Sequence, residues 1–132
     1  MSTDVFGHYD KHPFFGLKHA LLAVVARILP SPIIRARSER PVEISLRRKG
    51  ESSLVCHAVN INTVAMHPST ETQYEHHIST GRVAISIRSK ERPESVQLLP
   101  DGTALPWTHD RGIIRFELPD VDILETVHVE YE

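Results

Sequence analysis

The strongest constraint on this chain is the stretch from Arg82 to Glu132, RVAISIRSKERPESVQLLPDGTALPWTHDRGIIRFELPDVDILETVHVEYE. Val83, Ile85 and Ile87 alternate with Ala84, Ser86 and Arg88, the period-two pattern of a half-buried strand. Val96 and Leu98 begin a second strand that meets Pro100-Asp101-Gly102, a turn signal because Gly102 takes positive φ at little cost. Leu105 and Trp107 resume it, and Thr108 to Gly112 reads as the next turn. Ile114, Phe116 and Leu118 alternate with Arg115 and Glu117 up to Pro119, and Val127, Val129 and Tyr131 alternate with His128 and Glu130. Short alternating strands punctuated by turns specify an antiparallel sheet or sandwich.

Upstream, Val42, Ile44 and Leu46 alternate with Glu43, Ser45 and Arg47, and Lys49-Gly50-Glu51 turns the chain. Ser53 to Ile61 is apolar on both faces, which places it centrally, between two layers. Asn62 to Glu71 reads as a loop, Thr72 to Ser79 as a further strand, and Ile33 to Arg40, with three arginines, as a connector. Pro13 to Leu29 is the one helix. Phe14, Leu17, Leu21, Val24, Val25 and Ile28 recur every three or four residues, Phe15, Leu22 and Leu29 widen the stripe, and Pro30-Ser31-Pro32 stops it. An apolar surface that wide requires cover on more than one side. The expectation is therefore an N-terminal tail and amphipathic helix over residues 1–32, then a mainly β domain over 33–132, an antiparallel sandwich of about seven or eight strands.

With 132 residues, 40% apolar and 24% charged, the chain has room for one domain with a real core. A net charge of -2 gives no footprint for nucleic acid or an anionic membrane. The longest apolar run, Ala20 to Ala26, is far short of the roughly 20 residues of a membrane span. Cys56 is the single cysteine, and no signal peptide precedes it, so a cytoplasmic protein is expected.

Val55 to Ile61 (VCHAVNI), the SVQLLPDGTALPW hairpin and the closing GIIRFELPDVDILETVHVE together resemble the C-terminal β-sandwich of glycoside hydrolases related to the β-galactosidases. The matching positions are His57 and Asn60 in a His-x-x-Asn stretch, Leu98 to Gly102 in the hairpin, and Pro119 to Val121 before the last strand. In that family the sandwich follows a catalytic barrel and a flavodoxin-like trimerisation domain, and Pro13 to Leu29 resembles the helix closing the latter. The chain carries no barrel, so no catalytic carboxylate can be transferred. The resemblance implies a stand-alone module, a split gene product or a fragment.

Candidate chemistry is sparse. The nine histidines show no metal-motif spacing, and His76 and His77 would face opposite ways on a strand, although His57, His109 and His128 could converge from different strands. Cys56 and His57 likewise cannot form a direct dyad, and Cys56 reads as a buried structural thiol. Glu117, Asp120, Asp122 and Glu125 surround a turn and read as surface acids. Arg35, Arg37, Arg40, Arg47, Arg48 and Lys49 read as a solvated basic stretch. No cofactor and no metal is expected. The expected role is a non-catalytic accessory module that packs on a glycoside-hydrolase partner domain or forms a homo-oligomer through Phe14, Leu17, Leu21, Val25 and Ile28. The alternative is carbohydrate binding by Trp107, with Tyr74, Tyr131 and His109 as further contacts.

Overall fold

The computed structural model describes residues 15–65 and 74–132. The chain divides into two compact units, Met1–Pro32 and Ile33–Glu132.

In the first unit, α1 (Phe15–Ile28) is built from FGLKHALLAVVARI, with no proline inside and Arg27 in its last turn, where a cation suits the helix dipole. The Leu29 amide still donates to the Val25 carbonyl at 2.8 Å, after which Pro30 ends the ladder. No described helix is long and apolar enough to cross a membrane.

The second unit is a β-sandwich. One sheet has four antiparallel strands in the order β1 (Ile34–Ser38), β6 (Val83–Arg88), β10 (Ile113–Leu118) and β9 (Trp107–Asp110). The other has five, β2 (Val42–Lys49), β3 (Ser53–Asn60), β11 (Leu124–Glu130), β7 (Ser95–Leu99) and β8 (Thr103–Ala104), also antiparallel. A two-stranded ribbon, β4 (Thr63–Ala65) with β5 (Tyr74–His77), lies between β3 and β6 in the chain.

The alternating residues meet between the two sheets. Val83, Ile85 and Ile87 of β6 and Ile114, Phe116 and Leu118 of β10 form one wall. Cys56 and Ala58 of β3, Val96 of β7, and Val127 and Val129 of β11 form the other, all almost fully buried. Burial pushes the Cys56 thiol up to about 12, so it stays protonated and packs as a small apolar side chain.

The sandwich differs from the sequence expectation at its edges. Residues 34–38 form a strand rather than a connector: Ile34 and Ala36 face Ile87 and Ile85 across the ladder, while Arg35 and Arg37 take the outer positions. A pair of arginines on an edge strand keeps other strands from adding to it, and here they also hide the alternation. Residues 108–110 belong to β9, and the turn narrows to Arg111 and Gly112, with φ of 50° and 72°. Two positive-φ residues between the paired Asp110 and Ile113 give the tight primed hairpin whose twist matches its strands. Gly102, at φ 74°, makes the expected turn after Pro100.

Candidate functional site

Outward residues on the four-stranded sheet form a groove of about 990 Å³. The pairing register builds it in rows. Arg35 on β1 faces Ser86 on β6, Ser86 faces Arg115 on β10, and Arg115 faces Thr108 on β9. In the next row Arg37 faces Ala84, and Ala84 faces Glu117. Small side chains on β6 therefore form the floor, with longer ones on either side. Pro106, Trp107 and Pro119 complete the lining. Arg82 and Glu117 approach to 3.6 Å, an exposed pair worth about 0–1 kcal/mol at most. Arg37 and Arg115 make no ion pair among the described residues. The groove is strongly cationic, with Glu117 as its one acidic side chain among the described residues.

On the five-stranded sheet, a second surface is apolar. Val59 on β3 faces Leu124 on β11, and the Asn60 amide donates to the Ile123 carbonyl at 2.9 Å, which brings Ile123 alongside. Val59, Ile61, Ile123 and Leu124 are all exposed, Ile123 at 56%. β3 is an interior strand of its sheet, next to the edge strand β2, and the outer end of its double apolar pattern faces solvent.

Beneath this surface, Asn60 ties three segments together. Its side-chain amide donates to the carbonyls of Ile78 (2.8 Å), Val121 (3.1 Å) and Asp122 (2.7 Å). Its oxygen accepts from the backbone and side-chain nitrogens of Asn62, both at 2.8 Å. Next to it, Asp120 accepts from the Ser79 hydroxyl at 2.6 Å, from the amides of Val121 and Gly81, and from Thr80. These bonds, the Ser79 hydroxyl foremost, hold the Asp120 carboxyl below its usual range. Both side chains act as staples for the loops that enter β6 and β11.

Of the sequence-predicted site residues, Trp107 and His109 stand two apart on β9, on one face of the strand. Trp107 is half-buried, packs against the core, and has the Arg92 guanidinium 5.5 Å from its ring centroid. His109 Nε2 lies 3.1 Å from the Ser89 carbonyl, on the four-stranded sheet. His57 and His128 lie on the five-stranded sheet, where His57 Nδ1 is 3.1 Å from the Thr126 hydroxyl, so His109 does not join them. No group of three or more histidine, cysteine or acidic side chains among the described residues could hold a metal. Phe14 lies outside the described residues, as do the side chains of Leu17 and Tyr74. In α1, Leu21 is half-buried while Leu22, Val24, Val25 and Ile28 are exposed, Ile28 at 71%. The basic stretch is divided by the fold: Arg35 and Arg37 enter the groove, Arg40 donates to the Ser79 carbonyl at 2.8 Å, and Arg47 and Arg48 lie on the other sheet. Arg115, far away in sequence, completes the groove.

No family model and no curated protein sequence matches the chain. Among solved structures, α-L-fucosidase isoenzyme 2 from Paenibacillus thiaminolyticus matches with a TM-score of 0.83 and 21% identity, over 97% of this chain. The likeness establishes the fold. The chain spans only 20% of that enzyme's length, so its counterpart there is a small part of a glycoside hydrolase.

Proposed function

We propose that the chain is a non-catalytic accessory module of a glycoside-hydrolase system, of the kind that follows the barrel in β-galactosidase-like enzymes. It works by packing, either on a neighbouring domain or on another copy of itself. The carrying observation is the exposure of Val59, Ile61, Ile123 and Leu124, of which Val59 and Leu124 are paired across the strands while Ile61 follows β3 and Ile123 precedes β11. Contiguous exposed apolar surface of this sort marks an interface. The exposed Leu22, Val24, Val25 and Ile28 of α1 support the same role. The likeness to one-fifth of an α-L-fucosidase supplies the context.

A non-catalytic role is supported by the groove's composition. Glycoside hydrolysis uses two carboxyls roughly 5–9.5 Å apart, and the groove offers Glu117 with Arg82 beside it. Sugar stacking on Trp107 is the alternative and draws less support, because Arg92 lies over the ring. The test of the non-catalytic reading is hydrolysis of aryl α-L-fucosides and aryl β-galactosides by the purified chain. The expected result is no turnover above the uncatalysed rate. Turnover that disappears in Glu117→Gln would overturn it.

A further inference from the structure

We propose that the groove on the four-stranded sheet binds an anionic oligosaccharide, one carrying uronate carboxylates or sulfate esters. This goes beyond the packing role and does not depend on it, since the apolar surface lies on the other sheet.

Arg35 and Arg115 flank Ser86 in one cross-strand row, so their backbones stand two strand spacings, about 9–10 Å, apart. Arg37 continues the first wall beside Ala84. An elongated ligand lying along β6 would rest on Ser86 between Arg35 and Arg115 and on Ala84 beside Arg37, with Glu117 and its partner Arg82 beyond Ala84. Placing like charges around a trough of small side chains raises their mutual repulsion, and an anion between them relieves it. Guanidinium groups also match carboxylate and sulfate oxygens with paired donors.

The rest of the surface selects the polymer. β6 and β10 are interior strands of their sheet, so the backbone groups of the floor are already bonded within it. An acidic peptide could not add as a strand there, and its own amides and carbonyls would gain no backbone partner. A saccharide carries its polar groups on its periphery, where the Ser86 oxygen, whose proton goes to the Arg35 carbonyl at 3.5 Å, can accept and the Thr108 hydroxyl and the guanidiniums can donate. Neutral sugars rely on a bare aromatic face, but Trp107 packs on the core with Arg92 over its ring. The same shortage of stacking platforms disfavours single-stranded nucleic acid.

The test is calorimetric titration of the full chain with a galacturonate hexamer, a sulfated galactan hexamer and a neutral galactan hexamer. A glutamate hexapeptide and a thymidine oligonucleotide complete the set. Binding to either or both anionic saccharides, weakening as salt is raised, is expected; which of them binds identifies the anionic group. Arg115→Gln and Arg35→Gln should each weaken it about tenfold, the loss expected for one charge-assisted hydrogen-bonded contact. Ser86→Leu, which fills the floor without changing charge, should do the same, while Arg47→Gln with Arg48→Gln on the other sheet should change it by less than about twofold. Circular dichroism would establish that each variant is folded. Failure to bind either anionic hexamer overturns the proposal. So does equal binding of the neutral hexamer, the peptide or the oligonucleotide, or an equal loss in the Arg47, Arg48 variant.

Discussion

Asn60 offers the sharpest test of how the sandwich is held together. It is 7% exposed and stands at the end of β3, where its two N–H groups serve three carbonyls and its oxygen accepts two bonds from Asn62. Asn60→Ala removes every one of these. The Val121 carbonyl is left buried, at a cost of about 1–3 kcal/mol for an unmet polar group. The carbonyls of Ile78 and Asp122 are partly accessible to water, so each loses about 0.5–1 kcal/mol. The sum is a destabilisation of about 2–5 kcal/mol. In urea this moves the unfolding midpoint down by about 1–3 M at unchanged slope. Asn60→Asp should be worse still, because it turns a donor into an anion facing three carbonyl oxygens. Asn62→Ala, which loses the bond to the Pro41 carbonyl and one to Asn60, should cost only about 1–2 kcal/mol. A loss below about 0.5 kcal/mol in Asn60→Ala would refute the reasoning, since the three carbonyls would then be equally well served without it.

Further predictions concern titration, packing and reactivity. Asp120 has a folded pKa below its unfolded value of about 3.9, so its stabilising contribution is complete above that pH and is lost as pH falls through the lower, folded value. Acid unfolding of Asp120→Asn should accordingly show a weaker pH dependence in that window than wild type. The Tyr131 hydroxyl is buried without a hydrogen-bond partner among the described residues, so Tyr131→Phe should leave stability unchanged or raise it by about 1 kcal/mol in urea melts; a clear loss would contradict this. With its thiol pushed up to about 12, Cys56 should resist a disulfide reagent at pH 8 in the folded protein and react promptly in denaturant.

Much of the sandwich is legible in the sequence because one face of each major strand is buried. Val83-Ile85-Ile87, Ile114-Phe116-Leu118 and Val127-Val129 alternate with polar or small residues, and the structure sets all of them into the core. Where burial is partial the signal fades. β1 carries Ile34 and an exposed Ala36 against two arginines, so its two-residue period is weak, and β8 is only Thr103–Ala104. Among the described residues the sandwich thus has nine strands in its two sheets, the edges supplying those that periodicity does not reveal. The candidate sites were harder for a different reason. Arg35, Ser86 and Arg115 become neighbours only through the register of β1, β6 and β10, and Val59 meets Leu124 only through β3 and β11. Asn60 stands out in the sequence as part of a His-x-x-Asn stretch, but its partners at Ile78, Val121 and Asp122 follow from tertiary folding.

The packing role is tested most directly by the solution mass from light scattering coupled to gel filtration over a range of concentrations. For the wild-type chain the account predicts a mass that rises above the 14.9 kDa of one copy. It predicts return to the single-copy mass, with an unchanged circular dichroism spectrum, when Val59 and Leu124 are both replaced by glutamate. A wild-type chain that stays at 14.9 kDa at every concentration would contradict packing on another copy and leave only packing on a neighbouring domain.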